Sequence, residues 1–151
     1  MSDPIFESQT ARFGLPLLFS GQSQKEGHVN EALARIDAVL HGAIEAELPA
    51  PPAAASDGQT WLVASNPSGA WAGQAGKIAA QQSGNWLFIA PRDGMKLLNR
   101  ASGQELRYAG GWKSATRPAP ASGGTTIDAE ARATISALLT CLTLAGIFPT
   151  A

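Results

Sequence analysis

Two carboxyl groups flanking a glycosidic bond are enough to hydrolyse it, and between residues 57 and 113 the only acids are Asp57, Asp93 and Glu105. Asp57 lies in SDG and Asp93 in PRDG, both turn sequences in their own right. Glu105 is left without a partner, so a glycoside hydrolase using Glu105 and Asp93 is the minority expectation and a non-enzymatic protein the main one. His28 and His41 stand thirteen residues apart on one helical segment, which is no metal-ligand spacing, and both are expected to face solvent. There is no G-x-S-x-G elbow and no His near Cys141, so acyl transfer has no parts. Cys141 is the only cysteine; it sits among Leu138, Leu139, Leu142 and Leu144 and is expected to pack as a small hydrophobe. No catalytic residue, metal or cofactor is assigned.

The other residues able to contact a ligand are aromatic. Three of the four tryptophans follow a tight-turn pair, at SGAW (68–71), SGNW (83–86) and AGGW (109–112). Such a turn either delivers a large ring to the core of a small sheet or presents it to a ligand. In NWLFI, Trp86 and Phe88 share one face and Leu87 and Ile89 the other, so that strand is expected to be covered on both sides with Trp86 in the core. Trp71 has only glycine and alanine neighbours, and Trp112 follows two glycines. Both are expected to be more exposed. Trp71, Tyr108 and Trp112 are therefore the candidate glycan-stacking set, with an intersubunit role weighed beside it because aromatics are also enriched at interfaces.

These side chains need elements to hold them. Residues 1–22 form an N-terminal arm that turns apolar at RFGLPLLFSGQ, where Phe13, Leu15, Leu17, Leu18 and Phe19 make a candidate anchoring cluster. Residues 23–46 are expected to be helical, opened by the S-x-x-E capping box of Ser23 and Glu26. Its seam runs through Val29, Leu33, Ile36 and Leu40. Residues 47–58 are a Pro/Ala linker, and 59–113 alternate short apolar runs with turn residues, as in an antiparallel β module of roughly five to seven short strands. A second linker covers 114–126, and 127–148 form a C-terminal helix begun by Asp128 and ended near Gly146. Its seam includes Ile135, Leu138 and Leu142. The class is thus α+β, a small β module flanked by two helices. The seam at both ends points to self-association, with an elongated homotrimer as the expected form.

Bulk properties narrow the partners. With 15% charged residues, a net charge of −1 and eleven Lys and Arg scattered along 151 residues, nucleic acid is not an expected partner. No apolar run approaches the length of a membrane span, so no membrane contact is expected.

The strings RFGLPLLFSGQSQKEGHVNEALARID, SGAWAGQAGKIAAQQSGNWLFIAPRDGM and YAGGW resemble a family of bacteriophage and gene-transfer-agent proteins, domain of unknown function 2793. The closing DAEARATISALLTCLTLAGI looks like the C-terminal helix of phage tail-fibre and spike proteins. The resemblance implies a virion structural protein, made in the bacterial cytoplasm, that works as a fibre, spike or connector. Its implied partners are further copies of itself, other virion proteins (capsid, portal or tail) and, in the alternative reading as a carbohydrate-binding module, host surface polysaccharide. Gly27 departs from the apolar residue expected after QKE, at a cost of about 1 kcal/mol relative to Ala in a helix.

Overall fold

A computed structural model describes residues 9–18 and 25–150. The chain divides into two compact units, Met1–Pro91 and Arg92–Ala151. Among the described residues two α-helices and eight short strands make it an α+β protein.

In the first unit, helix α1 spans Glu26–Val39, shorter than the expected 23–46. Ser23, the expected cap, lies outside the described residues. Lys25 occupies the cap position and makes no side-chain cap bond. At the other end the chain leaves the helix at Leu40, and His41 takes a positive φ of 48°. The next residues become strands β1 (Ala43–Ile44) and β2 (Glu47–Leu48) where helix and linker were expected. Strands β3 (Thr60–Val63), β4 (Ile78–Gln82) and β5 (Asn85–Ile89) complete a sheet of order β2-β3-β4-β5. β3, β4 and β5 pair antiparallel as expected of residues 59–113, and β2, from the expected linker, adds to β3 in parallel.

The hairpin between β4 and β5 answers to SGNW. Ser83 at φ 49° and Gly84 at φ 75° are the two positive-φ positions that a tight two-residue turn needs. With register fixed, Gln81 faces Trp86 and Ala79 faces Phe88. Trp61, Val63, Trp71 and Ala79 form one core layer, with Trp86 and Phe88 packed against it. On the other sheet face Ala80 and Leu87 meet Ala34 and Ala38 of α1 around a gap of about 10 Å³. Every residue of β3 is buried, because both faces of that strand are covered.

In the second unit, β6 (Lys96–Asn99), β7 (Gln104–Tyr108) and β8 (Trp112–Lys113) are antiparallel neighbours. Burial alternates along β7, with Gln104 and Leu106 inside and Glu105 and Arg107 outside. Residues 114–126 are exposed and carry no helix or strand. Helix α2 spans Ala129–Leu144, and Asp128 caps it by accepting from Ala131 N at 2.8 Å. The chain then turns at Gly146 and runs back along β7. There Glu105 N donates to Gly146 O at 2.7 Å, Gln104 Nε2 to Ile147 O at 2.8 Å and Thr150 N to Ser102 O at 2.8 Å.

Candidate functional site

The arm is held by one carboxylate. Asp37, only 2% exposed, accepts from Thr10 Oγ1 at 2.6 Å, Phe13 N at 2.8 Å and Arg12 N at 2.9 Å. The Arg12 guanidinium reaches the C-terminal end of α1, donating to Asp37 O at 3.0 Å, Ala38 O at 2.6 Å and His41 O at 3.1 Å. It satisfies carbonyls that a helix end leaves without partners and places a cation at the negative end of the helix dipole. One helical turn or two earlier, Asn30 pairs with Leu18 in both directions, accepting from its N–H at 2.8 Å and donating to its C=O at 2.9 Å. Gly58 seats the arm from below: a Cβ there would stand 2.8 Å from Ala11 Cβ, and its φ of 84° also favours glycine. Asp37, Arg12 and Asn30 are thus the positions that fix the arm, and none stands out by residue type alone.

The arm's apolar residues are consequently divided. Leu15, Leu17 and Leu18 are half-buried, Phe13 is 42% exposed against His41, and Phe19 lies outside the described residues. The segment docks on its own helix through polar groups, while Phe13 keeps an exposed face.

Helix α1 turns its small and polar residues inward. Ala34, Asp37 and Ala38 are buried, whereas Val29, Ile36 and Leu40 are 38%, 49% and 40% exposed and Leu33 is half-buried. The predicted seam therefore faces outward, because the opposite face is occupied by the arm and by close packing against the sheet. In α2 the same holds for Ile135, Leu138 and Leu142, and Leu144 is 84% exposed. Only Leu139 is buried in that helix, and Glu130 and Arg132 are its only charged residues. Cys141, expected to be packed, is exposed.

The aromatic set does not assemble as expected. Trp71 is fully buried, correcting its expected exposure: the one-turn 3-10 helix Gly69–Trp71 swings the indole inward instead of outward. Its ring centroid lies 5.1 Å from that of Trp86 and 6.4 Å from that of Trp61, and its Nε1 has no hydrogen-bond partner. Trp86, expected as the core residue, is half-buried at the edge of the same cluster. Tyr108 and Trp112 are cross-strand partners, packed edge to face at 5.1 Å and both half-buried. Of the acids, Asp93 accepts from Gly110 N at 2.9 Å and Glu105 from Lys96 Nζ at 3.0 Å, so each has a local structural partner. Among the described residues no group of three His, Cys, Asp or Glu is placed to hold a metal, and no helix is long and apolar enough to cross a membrane.

Fold and surfaces together define a small α+β protein whose arm is latched to its first helix and whose two helices keep apolar stripes uncovered. A family model described as a protein of unknown function, DUF2793, matches residues 29–113, more than half of the chain, and the protein belongs to that family. No curated protein matches the chain.

Proposed function

We propose that this protein is a non-enzymatic structural component of a phage or phage-like particle, a fibre, spike or connector, that self-associates through α1 and α2. The observation that carries the reading is the exposure of Val29, Ile36 and Leu40 on one helix and of Ile135, Leu138 and Leu142 on the other. A helix that is apolar on an uncovered face gains its stability from a neighbour, and fully burying one such side chain contributes about 1.5–3 kcal/mol. The particle assignment draws on the resemblance of the arm, the Trp-turn strings and the closing helix to phage and gene-transfer-agent proteins. Three copies around a shared axis are the arrangement favoured by that resemblance, with capsid, portal or tail proteins as further partners.

Light scattering on the purified chain tests the assembly. A mass near three times the 15.6 kDa of one chain is expected, falling to one chain in a variant carrying Ile36→Glu and Leu138→Glu. A wild-type monomer at micromolar concentration would sink the proposal.

A further inference from the structure

The outer face of the second unit carries a row of cations. Lys96 stands directly opposite Arg107, and Arg107 directly opposite Lys113, so three basic residues on three successive strands face the same way. All three are exposed. Adjacent strands are about 4.8 Å apart, which places the row across roughly 10 Å of sheet. Like charges directly opposite one another destabilise a sheet. Lys96 pairs with Glu105 at 3.0 Å, while Arg107 and Lys113 have no carboxylate partner among the described residues. The row lines an open groove of about 440 Å³ together with Glu105, Ser114 and Ile147. In a chain with only eleven Lys and Arg and a net charge of −1, this is a concentration of positive charge that the fold itself does not require.

We propose that this groove binds oxyanions: the guanidinium of Arg107 pairs two-pronged with a carboxylate or phosphate, flanked by the ammonium groups of Lys96 and Lys113, with Ser114 at the rim. Cations repeated one strand apart suit a ligand with repeated charge, and the apolar side chain of Ile147 suits the face of a sugar ring. The ligand class is therefore an acidic polysaccharide, with free phosphate as the other source of the same chemistry. The site goes beyond the assembly role and does not rest on it.

Calorimetric titration of the full chain at low ionic strength tests the site, with oligoguluronate, inorganic phosphate, a DNA duplex and neutral dextran as probes. Saturable binding of oligoguluronate is expected, weakened by high salt, with none to dextran. Arg107→Gln and Lys113→Gln should each lower affinity about tenfold, and Glu105→Gln should raise it by removing the one acid in the groove. Thermal unfolding of Arg107→Gln at unchanged or higher temperature shows that the loss is not misfolding. If phosphate binds through the same residues and oligoguluronate does not, the site stands with phosphate as its source. Three results overturn it: neither probe binding, unchanged affinity in both cation variants, or tighter binding of a DNA duplex than of oligoguluronate. Repeating the titration on the Ile36→Glu, Leu138→Glu variant separates this outcome from that of the assembly proposal.

Discussion

Replacing Asp37 by Asn preserves the shape of the side chain and converts one acceptor into a donor. Asp37 Oδ1 receives Thr10 Oγ1 and Phe13 N, while Oδ2 receives Arg12 N. In the variant the remaining oxygen can keep Thr10 and Phe13, which turns the new NH₂ toward the Arg12 N–H, donor against donor. A hydrogen bond to a charged group contributes about 1.5–3 kcal/mol, and an orphaned donor adds its own desolvation penalty, so a loss of about 2–3 kcal/mol is expected. Asp37→Ala strands all three donors and should cost more, about 3–5 kcal/mol by the same reasoning. Two readouts separate a global effect from release of the arm: urea denaturation for the whole, and the rate of tryptic cleavage after Arg12 for the arm. Cleavage should rise in both variants, because the guanidinium and the neighbouring backbone lose the group that fixes them. A cost below about 0.5 kcal/mol with Arg12 no easier to cut would refute the idea that one carboxylate holds the arm.

Gly58→Ala meets the latch from the other side: its Cβ would fall 2.8 Å from Ala11, so faster tryptic cleavage at Arg12 and a loss of about 1–3 kcal/mol are expected. Trp71→Ala opens a cavity in the aromatic cluster and should cost about 3–5 kcal/mol in urea unfolding. Trp71→Phe should cost clearly less, since it keeps most of the ring volume and removes the indole N–H that has no partner; equal losses would refute the packing role given to the ring. Gly27→Ala places a methyl where nothing lies within 4 Å and should raise the thermal midpoint, gaining about 0.8–1 kcal/mol from helix propensity.

What could be read from the chain alone was what depends on near neighbours. Asp128 caps α2 as its sequence says, since its partner Ala131 is three residues away. The short runs of 59–113 became six strands because strand-forming segments bounded by turn residues such as Ser83 and Gly84 are written locally. The exchange of roles between Trp71 and Trp86 was not legible: both follow the same Ser-Gly pair in the sequence. Which one is covered depends on how β3 and the 3-10 turn pack across the sheet. Asp37 was hidden for the same reason, since its partners are 24 to 27 residues distant and an acid in NEALARID resembles a solvated helix face. The basic residues at 96, 107 and 113 are spread out in sequence and become a row only through the register of two hairpins.

Helix α1 ties the latch to the proposed assembly. An amphipathic helix on a lone domain ordinarily buries its aliphatic stripe and shows its polar face, yet here Asp37 is inside and Ile36 outside. The inward face is committed to the arm by Asn30 and Asp37, and to close sheet contact by Ala34 and Ala38, residues small enough to let the helix approach. Rotating the helix to cover Ile36 would break those bonds and drive larger side chains into the sheet. The arm and sheet described here therefore leave the stripe uncovered, and in the proposed assembly, at about 25 cal/mol per Å² of apolar surface removed from water, a second copy presenting the same stripe would gain what this packing forgoes. On this account the latch and the stripe are coupled: a variant that frees the arm should also weaken association, because it removes the reason for α1 to keep its aliphatic side turned outward.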